Sequence, residues 1–151
     1  MKIRVATLND IPVLLKFGAA FVQESPNYKN REFVAVEAQQ HFESLINGQG
    51  VIFVIEHRKK VIAGFAGSIG KDWFNNQKIA IDHVMYVLPE FRKTRAAYYL
   101  VQTFIGWAAG MGANRIQCGT TTDVESKGCI RLYEHFGFKQ YGTVLDMELS
   151  V

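Results

Sequence analysis

Cysteine is scarce in this 151-residue chain. The two cysteines, Cys118 and Cys129, are too few for the disulfide framework of a small secreted domain or for a zinc cluster. We therefore expect a cytoplasmic protein, kept in a reducing compartment, with no metal site. A long apolar run that could span a bilayer is also missing, and no apolar signal region follows the first four residues. We expect no membrane partner.

Neither sign of charge dominates the sequence. There are 17 Lys and Arg residues against 14 Asp and Glu residues, a formal net charge of +3. This excess is compatible with an anionic ligand, but by itself it is too small to indicate a nucleic-acid-binding protein. The length suits one domain, residues 1–151, with enough chain to bury a core, and we find no repeat, linker or low-complexity segment.

Hydrophobic periodicity predicts an α/β (α+β) chain of about seven strands and four helices. The first helix is capped by Asn9 or Asp10 and runs through Phe21. The other helices are expected at residues 31–46, 94–111 and 124–136. Strands are expected at residues 2–6, 51–56, 61–69, 78–88, 114–119, 138–141 and 143–149.

The stretch from Ile81 to Met111 organises the rest of the chain. A strand rich in β-branched residues stops at Pro89, and a helix with apolar residues at three- and four-residue steps begins near Thr94. The turn between them is basic, with Arg92, Lys93 and Arg95. Because a helix N-terminus has unpaired N–H groups and the positive end of the macrodipole, this turn is suited to a phosphate group. A solvated β-α connection is the alternative.

The order strand, Val-x-Pro-Glu-x-Arg, turn and helix resembles the acyl-CoA-binding motif of the GNAT N-acetyltransferase superfamily. The family pattern after the proline is Arg or Gln-x-x-Gly-x-Gly or Ala, and Arg92 and Ala97 match it. Arg95 stands where glycine is usual, and arginine does not easily adopt the conformations that glycine permits. Either the turn stays helical at Arg95 and the side chain reaches the phosphates, or the grip on pyrophosphate is weaker.

A second motif lies near the end of the chain. Cys129 to Phe138 resembles the superfamily's Ala-x-x-Leu-Tyr-Glu-x-x-Gly-Phe segment, with Cys129 in place of alanine. Together the motifs imply the GNAT acyl-CoA N-acyltransferase fold, a mixed sheet splayed at its central strand. They also imply acetyl-CoA as the acetyl donor. The residues implied in binding acetyl-CoA are Tyr86, Val87, Arg92, Lys93, Thr94, Arg95, Ala96 and Ala97.

The resemblance implies that Tyr133 is the general acid at the leaving thiolate; a core tyrosine with a satisfied hydroxyl is the alternative. For the base we consider Asp82, His83 and Glu24, and Asp82 comes first because a carboxylate inside a strand is uncommon without a partner. A structural salt bridge would also explain Asp82. In a regular strand Asp82 and His83 face opposite sides, so we do not expect them to act together.

The acceptor side of the resembled fold is formed by variable loops. Glu24, Ser25 and Tyr28 are therefore candidate substrate contacts, unless the loop is only exposed surface. Trp73, beside Phe74, is a further candidate, either as a wall of the site or as a cover for the core.

The function expected is transfer of an acetyl group from acetyl-CoA to a primary amine of an unidentified small-molecule or protein acceptor, directly within a ternary complex. Two alternatives stay open. One is a non-catalytic CoA-binding or protein-interaction module on this scaffold. The other is an RNA- or tRNA-directed acetyltransferase that uses the basic turn. Dimers are frequent among such domains, so a homodimer is one assembly to consider.

Overall fold

The fold is a five-stranded sheet with helices on both faces, seen in a computed structural model that describes residues 1–149. The strands are β1 (Lys2–Val5), β2 (Gly50–His57), β3 (Lys60–Lys71), β4 (Lys78–Val87) and β5 (Arg115–Gln117). The helices are α1 (Ile11–Glu24), α2 (Ala35–Asn47), α3 (Ala96–Gly110) and α4 (Ser126–His135). In the described part of the chain, no helix is both long enough and apolar enough to cross a membrane.

The expected splay of the sheet is present. The strands follow the order β1-β2-β3-β4-β5; the first four are antiparallel, and β5 is parallel to β4. Pairing between β4 and β5 covers Ile79 to Ile81 on one strand and Arg115 to Gln117 on the other. Residues 82–87 of β4 continue along β3 without β5 beside them, so the two strands part after Ile81. We call this place the fork.

The sheet has a hydrophobic core on each face. Alternate residues of β2 point to opposite sides, so Phe53 and Ile55 pack on the α3 face while Ile52 and Val54 pack with α1 and α2. A strand covered on both faces reads as a continuous apolar run, as Val51 to Ile55 does. The fork therefore opens from a rigid, doubly covered sheet.

A β-bulge lies on β4 next to the fork. Ala66 pairs with Val84 and Gly67 pairs with Asp82, so His83 is an extra residue in the ladder. Glycine is required opposite the bulge, since a Cβ at position 67 would stand 2.4 Å from Cε1 of Phe104. The packed Phe104 ring thus leaves room only for glycine at position 67.

The two strands predicted at residues 138–141 and 143–149 do not form. Residues 139–149, which we call the C-terminal arm, carry no regular secondary structure and are exposed, and the sheet has five strands rather than about seven. The alternation in the sequence of the arm was the basis for predicting strands there. A strand forms only when another strand supplies hydrogen bonds, and within the described residues β5 receives none from the arm.

Candidate active site

A cavity of about 920 Å³ opens at the fork. Its walls are the unpaired half of β4, the start of α3, the segment that follows β5, and one face of α4. Of the residues predicted for the site, it is lined by Glu24, Tyr28, Asp82, Tyr86, Val87, Arg92, Thr94, Arg95, Ala97 and Tyr133. The structure thus brings together residues from both sequence motifs and from the end of α1 with the loop that follows it.

Arg92 is held at the rim by two fixed contacts. Its Nε donates to the backbone carbonyl of Val87 at 2.9 Å, and its guanidinium forms a two-pronged ion pair with the carboxylate of Glu24, in which Nη2 to Oε2 is 2.7 Å. This pairing lowers the pKa of Glu24 below its ordinary value. Much of the positive charge of Arg92 is therefore neutralised within the protein itself.

Arg95 occupies the position where glycine was expected, and its backbone needs no glycine. Its φ is −85°, outside the left-handed region that favours glycine. The Arg95 guanidinium stacks over the ring of Tyr98, 4.3 Å from the centroid. Arg95 is thus the residue before α3 rather than part of the helix, and the choice between the two expected alternatives stays a prediction.

Thr94 shapes the same turn. Its hydroxyl donates to the carbonyl of Phe91 at 2.5 Å and accepts the N–H of Ala96 at 3.2 Å. The N–H groups that follow, in the first turn of α3, have no partner within the helix. With the macrodipole of a fifteen-residue helix behind them, these donors make one end of the cavity electropositive.

Asp82 lies at the fork itself, one residue beyond the last pair with β5. Its Oδ2 accepts a hydrogen bond from the N–H of Gly119 at 3.3 Å. Burial raises the pKa of Asp82 to about 6, and the bond from Gly119 offsets only part of that rise. A carboxylate with this pKa is ionised at neutral pH and is a stronger base than an ordinary aspartate.

His83 lines the same cavity as Asp82, although regular alternation predicted opposite faces. The bulge breaks the alternation at this residue. Nδ1 of His83 lies 3.0 Å from Nε2 of His41, and its Nε2 lies 2.7 Å from the hydroxyl of Ser68. Partial burial, followed by the charge of His41, lowers the pKa of His83, so its ring is neutral at physiological pH.

Tyr133 reaches the cavity from α4 and is only 7% exposed. Burial first, then the neighbouring Cys118 and Asp82, raise the pKa of its hydroxyl above the ordinary value. The hydroxyl therefore stays protonated and is available as a donor. Burial also raises the pKa of Cys118 and of Cys129, which leaves both thiols protonated and poor nucleophiles.

Four predicted site residues lie elsewhere. Ser25 is fully buried, and its hydroxyl donates to the carbonyl of Thr122 at 2.6 Å. Trp73 is 94% exposed in the β3–β4 turn and stacks edge-on against Phe74. Ala96 is buried in the core beneath α3, and Lys93 is exposed outside the cavity.

Several lining residues were not predicted. Thr120 to Thr122 form the wall opposite β4, and the hydroxyl of Tyr28 is hydrogen-bonded to that of Thr121. Tyr98 and Glu125 line the cavity from α3 and from the residue before α4. Expecting β4 and β5 to pair in parallel would have pointed to Thr120 to Thr122. The segments that follow two neighbouring parallel strands leave the sheet at the same edge, so the residues after β5 lie beside the turn after β4.

The sequence model of the acetyltransferase (GNAT) family matches residues 18–138. Among curated proteins, none matches the sequence.

Solved structures share the fold along almost the whole chain. A transcriptional regulator from Bacillus halodurans C-125 is 19% identical, with a TM-score of 0.79, covering 98% of this chain and 99% of its own. An acetyltransferase from Trypanosoma brucei is 13% identical, with a TM-score of 0.75 and coverage of 98% and 99%. An aminoglycoside acetyltransferase from an uncultured soil sample, in complex with sisomicin, is 12% identical, with a TM-score of 0.72 and coverage of 99% and 95%.

Proposed function

Since the chain belongs to the acetyltransferase (GNAT) family, we propose that it transfers an acetyl group from acetyl-CoA to a primary amine. Transfer takes place within a ternary complex, without a covalent enzyme intermediate. The observation that supports this most directly is the fork. There an unpaired length of β4, the N-terminus of α3, Asp82 and Tyr133 all border one cavity.

The residues at the fork fit the chemistry of the coenzyme. Diphosphate oxygens need donors and positive charge, which the first turn of α3, Thr94 and Arg95 supply. An amide-containing pantetheine arm needs a free strand edge, and residues 82–87 of β4, including Tyr86 and Val87, provide one. When bound, the coenzyme supplies the acetyl group as an activated thioester. Lys93 lies nearby as an exposed, longer-range positive charge.

The main role of Arg92 is to hold neighbouring groups in place beside the coenzyme, rather than to bind the phosphates itself. It joins the end of α1 to the turn after β4 and fixes the carbonyl of Val87. Direct contact between its guanidinium and a phosphate requires a partial release of Glu24. The proposal therefore places the phosphate grip chiefly on backbone N–H groups rather than on Arg92.

Acylation of an amine requires loss of one proton from nitrogen and gain of one proton by the departing sulfur. Asp82 and His83 both border the cavity as proton acceptors that are unprotonated at neutral pH. Asp82 stays the first choice because it lies deeper at the fork. Tyr133, protonated and buried, is the donor to sulfur. A backbone N–H near Val87 facing the thioester oxygen would contribute about 3–4 kcal/mol to the transition state.

The acceptor enters beside Glu24 and Tyr28, where the α1–α2 loop meets Thr121. Carboxylates at Asp82 and Glu125 make this side attractive to a cationic amine. A structure of the same fold carries the aminoglycoside sisomicin, so aminoglycosides and polyamines are the first acceptors to test, with lysine peptides next.

Calorimetry and thermal unfolding with acetyl-CoA test the coenzyme site. At a hundredfold excess over the dissociation constant, the coenzyme should stabilise the fold by about 2.7 kcal/mol. Ala97→Glu places a carboxylate where phosphate is expected and should abolish that shift. Because Ala97 is half-buried against the core, circular dichroism of the variant first checks that α3 is intact. Gln102→Glu, on the exposed face of the same helix, is the matched control. An unchanged unfolding temperature of the wild type at saturating coenzyme contradicts the proposal.

The neutralised Arg92 favours one rival function, a non-catalytic module that binds CoA weakly. Transfer of the acetyl group releases the free thiol of CoA, whereas binding alone does not. Measuring thiol release with acetyl-CoA and a panel of amines therefore distinguishes the enzyme from the non-catalytic module. Binding without thiol release for any amine supports the rival. Both cysteines are free thiols. Residence in a reducing cytoplasm stays a prediction.

A further inference from the structure

A hydrogen-bonded chain of three side chains runs from β3 to α2, beside the cavity at the fork. The Ser68 hydroxyl lies 2.7 Å from Nε2 of His83, and Nδ1 of His83 lies 3.0 Å from Nε2 of His41. Neither Ser68 nor His41 lines the cavity. Both ring nitrogens of His83 therefore bond to groups that have no part in the acetyl transfer proposed above.

The chain has the arrangement of a nucleophile, its base and a group that orients the base. A serine hydroxyl becomes a nucleophile when an imidazole nitrogen about 2.6–3.2 Å away takes its proton. A partner on the other ring nitrogen holds the imidazole in the productive tautomer. With the ring proton on Nδ1, His83 donates to His41 and accepts from Ser68, as these roles require.

The bulge in β4 brings these side chains together. His83 is the extra residue of the bulge, so its side chain does not follow the alternation of the strand and lies beside Ser68. His41 comes from α2, which packs on this face of the sheet through Phe42 and Leu45. The arrangement therefore depends on tertiary structure and has no sequence signature.

The charge state of His83 suits a base. Partial burial, followed by the charge of His41, lowers the pKa of His83, so its ring is neutral at physiological pH and can accept a proton. By comparison, the hydroxyls of Ser25 and Ser44 donate to backbone carbonyl oxygens, which do not take up a proton. Ser68 is thus placed differently from these two serines.

Small residues leave room around the Ser68 hydroxyl. Gly70 lies two residues further along β3 and so on the same side of the sheet, and a Cβ there would meet no atom within 4 Å. Gly50 lies opposite Ser68 on β2, and the side chain of Leu45 occupies the space above Gly50. A short acyl group therefore has an open approach beside Gly70 and an apolar surface at Leu45.

The sheet around Ser68 limits which acyl groups can react. At this residue β3 is paired with β2 on one side and with β4 on the other, so the nearby backbone N–H groups bond within the sheet. A donor to the oxyanion of an acyl-transfer intermediate is typically worth about 10²–10³-fold in rate. Without such a donor from the backbone, the acyl group must carry a good leaving group.

We propose that Ser68, His83 and His41 form a second reactive site, which hydrolyses small activated esters such as aryl acetates through an acyl-serine. Oγ of Ser68 bonds to the ester carbonyl carbon while its proton passes to Nε2 of His83. The bond from that carbon to the phenolic oxygen breaks, and His83 returns the proton to the departing phenol. His41 is a positioning residue, because it acts through His83.

Water completes the cycle. A water oxygen bonds to the carbonyl carbon of the acyl-serine, and His83 takes one of the water protons. The bond from the carbonyl carbon to Oγ of Ser68 then breaks, the carboxylic acid is released, and the proton on His83 returns to Oγ. The net reaction consumes one ester and one water and yields one phenol and one acid, without CoA.

Labelling with a fluorophosphonate tests the nucleophile, since this reagent bonds to serines that a neighbouring base activates. Intact mass and peptide mapping should show one label on Ser68 in the wild type, and about tenfold less or lower in Ser68→Ala. Ser44→Ala removes an exposed serine of α2 whose hydroxyl bonds to its own helix, and it should be labelled like the wild type. Absence of label on Ser68 at millimolar reagent overturns the proposal.

Hydrolysis of p-nitrophenyl acetate, followed by the colour of the released nitrophenolate, tests turnover. Ser68→Ala and His83→Gln should each lower the rate about tenfold or more, once thermal melting has established that both variants are folded. A rate in Ser68→Ala equal to that of the wild type places the reaction on another group and overturns the proposal. Because no coenzyme is present, the result is independent of whether acetyl-CoA is a substrate.

Two substitutions at His41 test the positioning role. A carboxylate orients an imidazole and stabilises the imidazolium, so His41→Glu should keep roughly a third or more of the labelling rate. His41→Leu accepts no hydrogen bond from Nδ1 of His83 and should lower that rate about tenfold. Thermal melting of both variants controls for loss of packing at α2. Equal losses in the two folded variants overturn the role given to His41.

Discussion

The guanidinium of Arg92 is bound to the carboxylate of Glu24 through two hydrogen bonds across 68 residues of sequence. One partner belongs to the turn before α3 and the other to the last residue of α1. The sequence placed them in different sites, with Arg92 at the coenzyme and Glu24 at the acceptor. In the structure the two side chains are paired with each other and line the same cavity.

Glu24→Gln should release the Arg92 guanidinium. We expect CoA to bind several-fold more tightly, because a freed cation faces the phosphates, and the fold to lose about 1 kcal/mol, as expected for a partly exposed ion pair. Calorimetry and thermal melting measure the two effects. Glu134→Gln, an exposed acid on α4, is the charge-matched control. If the affinity for CoA is unchanged, Arg92 does not bind the phosphates, and its role is to hold Glu24 and the carbonyl of Val87 in place.

Asp82→Asn should stabilise the protein at neutral pH. The folded-state pKa of Asp82, about 6, lies above its ordinary value, so the ionised carboxylate disfavours the folded state above pH 6. The gain from asparagine should reach about 3 kcal/mol at pH 7–8, should shrink as the pH falls through 6, and should vanish near pH 4. Urea unfolding across this range measures it. A gain that does not depend on pH would show that packing, not charge, is responsible.

The pH dependence of turnover separates Asp82 from His83 as the base. With Asp82 as the base, kcat/KM should fall as the pH drops below about 6, and Asp82→Asn should lower turnover roughly 10²–10⁴-fold. His83→Gln should then keep the same acidic limb. If instead the limb disappears in His83→Gln and persists in Asp82→Asn, the assignment reverses.

Tyr133→Phe should slow turnover about a hundredfold or more while CoA affinity changes less than threefold. The hydroxyl is the only group removed, and the ring keeps its edge-on contact with Phe138, 5.3 Å between centroids. Tyr98→Phe, another tyrosine at the cavity, is the control. Equal kcat in Tyr133→Phe and wild type would remove the hydroxyl from the chemistry.

Gly67→Ala should destabilise the fold by about 1–3 kcal/mol. Its Cβ would stand 2.4 Å from Cε1 of Phe104 and 2.8 Å from the carbonyl oxygen of Ile81, so the ring or the bulge must move. Gly70→Ala, on the same strand, meets no atom within 4 Å and serves as the control. Chemical unfolding of both variants checks the difference, and equal losses would argue against the crowding.

Periodicity and continuous apolar runs predicted the helices and the first five strands, because each of these elements packs apolar side chains against a core. The predictions from periodicity were wrong at the bulge in β4, where the strand pairing is irregular, and at the two strands expected after residue 137, which find no strand to pair with. His83 joins Asp82 at the cavity because a bulge interrupts the alternation of β4, and no local sequence pattern reveals that bulge. The arm has a strand's alternation, yet alternation cannot say whether an edge is within reach. The sequence predicts Ser25 as a polar loop residue, whereas in the fold its hydroxyl donates a hydrogen bond to the carbonyl of Thr122.

The negative φ of Arg95 has a consequence for which residues this turn accepts. A residue with a Cβ adopts such a φ without the penalty that a left-handed conformation carries, so the turn makes no demand for glycine at position 95. The charge at the mouth of α3 can therefore be changed by substitution here without straining the backbone.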